Sequence, residues 1–240
     1  YDDAATYLVV ADVARGDGAD YSVFHIIKLE TMEVIGEYQG KATLEQFASI
    51  LDSTGREFGG AMLVVENNSL GISILEKLQD RLYPNLYFSI KGTHEYISEA
   101  QAESIANAVP GFTTSSKTRP LIIAKMEEFV RNQLITLYSS RIIGEFKTFI
   151  WNNNRAQAMR SYNDDLVIAL AIACWVKDTA LTVNLREMEY KKAMVSSIAV
   201  SSNNFQTTIP GMTGHNTGQL SKEAKEIRQQ YKDFVWLVKG

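Results

Sequence analysis

Four carboxylates lie at positions where an acidic side chain needs a specific reason. Asp12 lies within the apolar segment VVADV, Glu66 ends the apolar segment MLVVE, and Asp164 and Asp165 come directly before the apolar segment LVIALAIACWV. An isolated buried carboxylate costs several kcal/mol unless it is paired, hydrogen-bonded or bound to a cation. Carboxylate oxygens are also the ligands that Mg²⁺ and Mn²⁺ prefer. These four residues therefore indicate a candidate site for a hard divalent cation.

Structural roles are the alternative for the same side chains. One of two adjacent aspartates can cap the helix that follows them, and a glutamate at the end of a strand can reach solvent. Asp12 is harder to explain in this way, because its neighbours on both sides are apolar. From the residues alone, the metal-binding and the structural interpretations both stay open.

Other kinds of reactive site find little support in the sequence. The three histidines, His25, His94 and His215, are scattered, and Cys174 is the single cysteine, so neither a Cys/His metal cluster nor an internal disulfide is predicted. The segment RGDGAD lacks the lysine of a phosphate-binding Walker loop and precedes a predicted strand rather than a helix. We therefore expect no ATPase site in this sequence.

Hydrophobic patterns predict the elements that would position the carboxylates. Residues 6–13 and 61–66 are continuous apolar runs, typical of strands that are buried on both faces. If these two strands are neighbours, Asp12 and Glu66 lie near one edge of the sheet, and the helix that opens at Asp164 and Asp165 can supply a third carboxylate. The predicted order is strands 6–13, 21–30 and 33–40, a helix after Thr43, strand 61–66, helix 69–83, strand 86–90, an irregular stretch 91–119, a helix from Pro120 to a basic turn at Arg141, and an apolar helix over 163–180.

Composition and charge limit the class of protein. The 240 residues are 45% hydrophobic and 22% charged, enough for one large core, and the longest apolar run, residues 166–176, is shorter than the roughly 20 residues of a membrane span. Residues 1–181 hold 16 basic and 23 acidic side chains, whereas residues 182–240 hold 8 and 5. A generic nucleic-acid-binding surface is therefore not expected, but residues 110–160 carry eight basic groups against three acidic ones. This stretch is predicted either to meet a polyanion or to form solvated helix faces.

Four segments, in this order and spacing, resemble the nuclease domain of the large terminase of T-even-type tailed bacteriophages. They are VVADVARGDGADYSVFHII, LVVENNSLG, GFTTSSKTRPLII and YNDDLVIALAIA. The resemblance covers about residues 5–180 and implies an α/β, ribonuclease H/integrase-like fold, in which a mixed sheet of three antiparallel strands and then alternating helices and strands is flanked by helices. We expect a nuclease core over residues 1–181 and a C-terminal helical extension over 182–240. Because the chain opens at Tyr1 without Met, we expect a fragment that lacks the N-terminal ATPase domain of the family.

The resemblance also implies the site residues. The catalytic and metal-binding carboxylates carry over as Asp12, Glu66 and one aspartate of the NDD motif, for which Asp165 is favoured over Asp164. Asp20 matches an acidic residue of the Gly-rich hairpin and is a further candidate ligand. Related resolvase-like enzymes place a second ligand three residues after the first, where this sequence has Ile168, so one or two Mg²⁺ or Mn²⁺ ions are expected.

The implied substrate is double-stranded viral DNA. The resemblance implies an endonuclease that cuts concatemers with little sequence preference by two-metal phosphodiester hydrolysis. It further implies the portal protein, the ATPase domain and the small terminase subunit as partners, no membrane, and action in the host cytoplasm while docked transiently on the procapsid. The predicted DNA-facing side chains are basic: Arg15, Arg141, Lys147, Arg155 and Arg160.

Two alternative functions follow from the same residues. A resolvase-like or ribonuclease H-like nuclease would keep the fold but act on junctions or RNA–DNA hybrids, and the Lys117-Thr118-Arg119-Pro120 element favours the terminase instead. A non-catalytic portal-docking module would use the basic tail as its partner surface. In the docking module, changing Asp12 would leave activity unaffected.

Overall fold

The computed structural model of the chain describes residues 2, 5–14, 20–92, 96–152 and 155–181. The strands are β1 (Tyr7–Asp12), β2 (Ser22–Lys28), β3 (Glu33–Gly40), β4 (Met62–Val65), β5 (Phe88–Ile90), β6 (Tyr96–Ile97), β7 (Ala108–Pro110), β8 (Thr136–Leu137), β9 (Phe149–Asn152) and β10 (Arg155–Ala158). The helices are α1 (Leu44–Glu57), α2 (Ser69–Asp80), α3 (Glu99–Ala102), α4 (Thr118–Arg131), α5 (Ser140–Thr148) and α6 (Asp165–Val176), and α6 continues into a π-helical turn at Lys177–Leu181. The predicted extension 182–240 lies outside these described residues.

A five-stranded mixed sheet forms the centre of the described core. Its strand order is β4-β1-β2-β3-β8, in which β1, β2 and β3 form an antiparallel meander. Strand β4 pairs parallel to β1, and β8 pairs parallel to β3 at the opposite edge. The prediction that the first strand lies beside strand β4 is therefore confirmed.

Strand β1 is buried on both faces, as its apolar sequence predicts. Leu8 and Val10 pack on the side that carries α4 and α6, whereas Val9 and Ala11 pack on the side that carries α1 and α2. All four side chains are fully buried. Burial of each large aliphatic side chain contributes about 1.5–3 kcal/mol, so these two layers fix where β1 ends and hence where Asp12 lies.

Helix α6 is apolar around its whole circumference and lies in the core. Its side chains from Leu166 to Cys174, and Val176, are buried against the central sheet and α4. A helix without a polar face can only be accommodated between other elements. None of the helices within the described ranges is both long and apolar enough to cross a membrane.

The prediction of a single helix from Pro120 to Arg141 is wrong. Helix α4 begins at Thr118 and ends at Arg131, because Gln133 adopts a left-handed backbone conformation with φ of 55°. The N–H of Leu134 then donates to the carbonyl of Phe129 and the N–H of Gln133 to that of Val130, which satisfies the last carbonyls of the helix. The chain next forms β8, α5 and the β9–β10 hairpin before it reaches α6.

The prediction that residues 91–119 are irregular is also wrong, because this stretch contains β6, α3 and β7. Strands β6 and β7 pair on either side of β5 in a small antiparallel sheet, and α3 lies between them in the chain. Each of these elements has two to four residues, which is too short for a hydrophobic period to be recognised in the sequence.

Candidate metal centre

Asp12 and Glu66 lie side by side because β1 and β4 run parallel. Ala11 is paired with Val65, and the N–H of Glu66 donates to the carbonyl of Ala11 at 2.9 Å. The two carboxylates follow this pair at the same end of the sheet, close enough for Glu66 to raise the pKa of Asp12. Glu66 is only 8% exposed, and its Oε2 accepts a hydrogen bond from the side-chain amide of Asn68 at 3.1 Å.

The pKa of Asp12 lies well above its ordinary value. Desolvation by burial is the main cause, followed by the negative charge and hydrogen bond of Glu66 and by the charge of Asp165. A carboxyl group surrounded by other carboxylates resists ionisation because like charges repel. The charges of both other predicted ligands, Glu66 and Asp165, therefore act on Asp12.

Asp165 reaches the same region from the first turn of α6. Its Oδ2 accepts hydrogen bonds from the backbone N–H of Tyr21 at 3.1 Å and from the side-chain amide of Asn163 at 3.3 Å. Burial, with the charges of Asp20 and Asp164 as further causes, raises the pKa of Asp165 to about 6. Asp20 is exposed but close enough to act on this carboxylate.

The adjacent aspartate has a different environment. Arg119 Nη2 donates to Asp164 Oδ2 at 2.6 Å, and its Nε donates to the carbonyl of Ala156 at 3.1 Å. Arg119 therefore ties the start of α4, strand β10 and the start of α6 together. The aspartate predicted to be the ligand, Asp165, is the one without this ion pair.

The start of α6 is also held from the sheet. Buried His25 on β2 donates from Nε2 to the carbonyl of Leu166 at 2.9 Å, since a carbonyl can only accept. The Nδ1 atom of His25 lies 3.9 Å from Oε2 of Glu37, a carboxylate that pairs with Arg141. Desolvation lowers the pKa of His25, so the ring is held neutral.

The carboxylate groups of Asp12, Glu66 and Asp165 are the type of ligand that a hard divalent cation prefers. The three carboxylates offer only oxygen ligands, and the charges of Glu66 and Asp165 raise the pKa of Asp12 in a way that a cation would reverse. Within the ranges that the structure describes, no three Asp, Glu, His or Cys side chains are close enough to hold one ion as they stand. Shared coordination by Asp12, Glu66 and Asp165 therefore requires their side chains to move closer.

A cavity of about 410 Å³ opens next to Glu66. Its walls come from the segment before α4, the first turns of α4 and the β9–β10 hairpin, and they include Ser116, Arg119, Trp151 and Arg155. Trp151 and Arg155 are also exposed to solvent. An aromatic ring and a guanidinium group beside acidic residues are suited to contact a polyanion.

The predicted basic residues have different surroundings. Lys147 and Arg160 are exposed, and Arg155 lines the cavity. Arg141 donates from Nε to Oε1 of Glu37 at 2.7 Å, and the Glu37 side chain is only 6% exposed. Arg141 thus neutralises a buried carboxylate, whereas Arg15 lies outside the described residues.

Glu145 is a site residue that the sequence interpretation did not single out. It lies on α5, and its Oε2 accepts a hydrogen bond from the N–H of Val167 in the first turn of α6 at 3.2 Å. Burial, with the charges of Asp165 and Asp164 as lesser causes, raises its pKa to about 7. No local pattern marks it, because the helix that it caps begins 20 residues later in the chain.

No protein-family model matches the sequence. Among solved structures, the fold is similar to the large terminase nuclease of thermophilic phage G20c with bound magnesium, with a TM-score of 0.57 and 19% identity over 72% of this chain and 82% of that one. The cobalt-bound form gives a TM-score of 0.56 at 19% identity over 72% and 82% of the two chains.

A second phage gives a similar result. The large terminase nuclease domain of Thermus phage P74-26 has a TM-score of 0.54 and 20% identity over 72% of this chain and 80% of that one. These relatives come from thermophilic phages, so the narrower resemblance to the T-even type is not supported by them. The described core has the mixed α/β, ribonuclease H-like fold of phage large terminase nuclease domains, which confirms the fold that the resemblance implies.

Proposed function

We propose that this chain is the nuclease domain of a phage large terminase, and that it cuts double-stranded concatemeric DNA with little sequence specificity during genome packaging. The observation that carries the proposal is the convergence of Asp12, Glu66 and Asp165 at one end of the sheet. Three oxygen-donor side chains of this kind match the ligand preference of Mg²⁺ and Mn²⁺. The likeness in fold to terminase nucleases supports the same assignment.

Asp12, Glu66 and Asp165 would hold one or two Mg²⁺ or Mn²⁺ ions. Cations so held activate water and stabilise the leaving 3′ oxygen in phosphodiester hydrolysis. Ile168 is apolar and buried, so oxygens for a second ion would have to come from Asp20 or Asp164. The G20c nuclease, whose fold is similar, has been solved with magnesium and with cobalt, which supports a divalent cation here.

The side chains of the chain itself position the substrate and the carboxylates. Asn68 holds Glu66, while Asn163 and the N–H of Tyr21 hold Asp165, so the ligands start from defined orientations. The acidic cluster repels phosphate, and the basic side chains on the cavity side offset that repulsion. Arg155 at the cavity and Arg160 near it in the chain are the proposed DNA contacts, with Lys147 further along the same surface stretch.

The proposed partners follow from the same assignment. They are double-stranded DNA, the ATPase domain of the full-length terminase, the portal protein and the small terminase subunit. The proposed place of action is the host cytoplasm, with transient docking on the procapsid.

A cleavage assay on supercoiled plasmid tests the proposal. We expect nicking and linearisation in Mg²⁺ or Mn²⁺, none in EDTA, and none by Asp12→Asn in either metal. Undiminished cutting in EDTA or by Asp12→Asn would reject the assignment. Preferred cleavage of four-way junctions or RNA–DNA hybrids over plasmid would favour the resolvase-like or ribonuclease H-like alternative, and a wild-type protein that cuts none of these substrates would favour the docking module.

A further inference from the structure

The first turn of α6 carries Asp165 and is capped in an unusual way. Asp164 is the N-cap residue of α6, but within the described part of the chain its side chain accepts no hydrogen bond from the first turn of the helix. Its carboxylate is paired with Arg119 instead. The first N–H groups of a helix have no partner within the helix and need acceptors from elsewhere. For α6, Glu145 is that acceptor.

Glu145 connects three elements at this point. Its Oε2 accepts a hydrogen bond from the N–H of Val167 at 3.2 Å, and the nearby N–H of Leu166 favours the ionised form of the same carboxylate. Its Oε1 accepts from the side-chain amide of Gln39 on β3 at 3.4 Å. A single side chain on α5 therefore fixes the start of α6 relative to the central sheet.

This arrangement has an electrostatic cost that a neutral cap would avoid. The charges of Asp165 and Asp164 both oppose ionisation of Glu145. Serine, threonine and asparagine cap helices without such repulsion. A long side chain with an acceptor oxygen is needed here because the acceptor must reach from α5 to a helix whose own N-cap side chain is paired with Arg119.

We infer that Glu145 is a positioning residue for the metal centre, which sets the orientation of Asp165 by capping the first turn of α6. This inference rests on the proposed function. Val167 lies two residues after Asp165 in the first turn of α6, so loss of its acceptor frees the backbone that orients the carboxylate. Residues that orient metal ligands without touching the metal typically change affinity or activity by about 10-fold to 100-fold when removed.

The test compares Glu145→Ala with Glu145→Gln, which keeps one oxygen for the N–H of Val167. We expect Glu145→Ala to weaken Mn²⁺ binding, measured by calorimetry, by about 10-fold or more, and Glu145→Gln to stay within about threefold of the wild type. We also expect faster amide hydrogen exchange at Leu166 and Val167 in metal-free Glu145→Ala, but not in Glu145→Gln. If Glu145→Ala fails to fold, Glu145→Asp, which is one methylene too short, replaces it with the same expectation.

Thr43→Ala is the matched control, because it removes a helix cap at α1, away from the site. We expect it to lower the melting temperature without changing Mn²⁺ affinity. Wild-type affinity in Glu145→Ala, or equal loss in Glu145→Ala and Glu145→Gln, would overturn the inference, the second result because it indicates a direct ligand. Failure of the wild type itself to bind Mn²⁺ would instead reject the proposed function.

Discussion

Arg119 holds Asp164 in an ion pair of 2.6 Å, whereas the next residue, Asp165, accepts hydrogen bonds from the backbone N–H of Tyr21 and the side-chain amide of Asn163. Asp164 is the N-cap residue of α6 and Asp165 is its first helical residue, and the two side chains have different partners. We therefore predict unequal effects of substitution. Asp165→Asn should reduce plasmid cleavage to background, whereas Asp164→Asn should retain measurable cleavage.

The control for this comparison is Arg119→Gln, which removes the partner of Asp164 without touching either carboxylate. We expect it to resemble Asp164→Asn in residual activity. Equal losses in the two aspartate variants would mean that both carboxylates are needed, and a reversed order would transfer the ligand role to Asp164.

The metal-free protein should lose stability as the pH rises, because of Asp165. The pKa of Asp165 is raised from 3.8 to about 6, mainly by burial. A carboxyl group with a raised pKa in the folded state contributes stability that is present below its unfolded pKa and is lost as the pH rises through the folded value. Metal-free Asp165→Asn should gain about 1–2 kcal/mol of unfolding free energy over wild type near neutral pH, after allowance for solvent screening.

Urea unfolding in EDTA, at several pH values between about 4 and 7, measures this difference. The gain should shrink towards the acid end of that range, where Asp165 is protonated in the wild type as well. A gain that does not vary with pH would contradict the electrostatic explanation. Added Mg²⁺ should stabilise the wild type and not the variant.

Arg141 should contribute to the free energy of unfolding through its ion pair with Glu37, in addition to its predicted role in DNA binding. Its partner Glu37 is a nearly buried carboxylate that also accepts a hydrogen bond from Ser139 at 2.9 Å. Removal of one member of such a pair leaves an uncompensated charge in a poorly solvated place. We expect Arg141→Ala to lower the free energy of unfolding by about 1–3 kcal/mol.

Lys147→Ala is the matched change on the same helix, since Lys147 is exposed. Its effect on unfolding should stay within about 0.5 kcal/mol. If both variants are equally stable, the ion pair of Arg141 contributes nothing measurable, and Arg141 is left with the role in DNA binding that the sequence predicts.

The cavity side of the core should bind DNA through phosphate contacts. Arg155→Ala/Arg160→Ala should weaken duplex binding, measured in Ca²⁺ as a non-cleaving substitute. Each lost phosphate contact lowers the slope of log affinity against log salt by about 0.9, so the double change should reduce it by about 2. The loss should be similar for unrelated DNA sequences, because phosphate contacts carry no base information.

The control is Lys222→Ala/Lys225→Ala in the C-terminal extension, which removes the same number of positive charges at another place in the chain. We expect the control to bind DNA like the wild type. Loss of binding confined to this control pair would locate the DNA on the extension and refute the prediction for residues 155 and 160.

The positions of Asp12 and Glu66, which lie at the ends of neighbouring strands, could be predicted from the sequence. Asp12 lies near the end of one apolar run and Glu66 ends another; apolar runs of this kind predict buried strands, and the two carboxylates meet if the strands are neighbours. The alternation of strand and helix in the first 90 residues, and the start of a helix after Thr43, are equally local signals, and the structure confirms them.

The remaining contacts depend on tertiary structure that no short pattern records. The end of α4 at Gln133 needs a left-handed conformation that glutamine rarely adopts, so the sequence favours a longer helix instead. The cap supplied by Glu145 and the ion pair of Arg119 with Asp164 join residues 22 and 45 positions apart. Such pairs become visible only once the helices have been packed together.

Anomalous diffraction from a crystal soaked in MnCl₂ tests the central claim most directly. We predict an anomalous peak among the carboxylate oxygens of Asp12, Glu66 and Asp165, with at least one of these side chains moved towards the ion, and no such peak in a crystal of Asp12→Asn. The absence of Mn²⁺ from this position in the wild type at millimolar concentration, or its binding to other residues instead, would contradict the assignment of these three carboxylates as the metal centre.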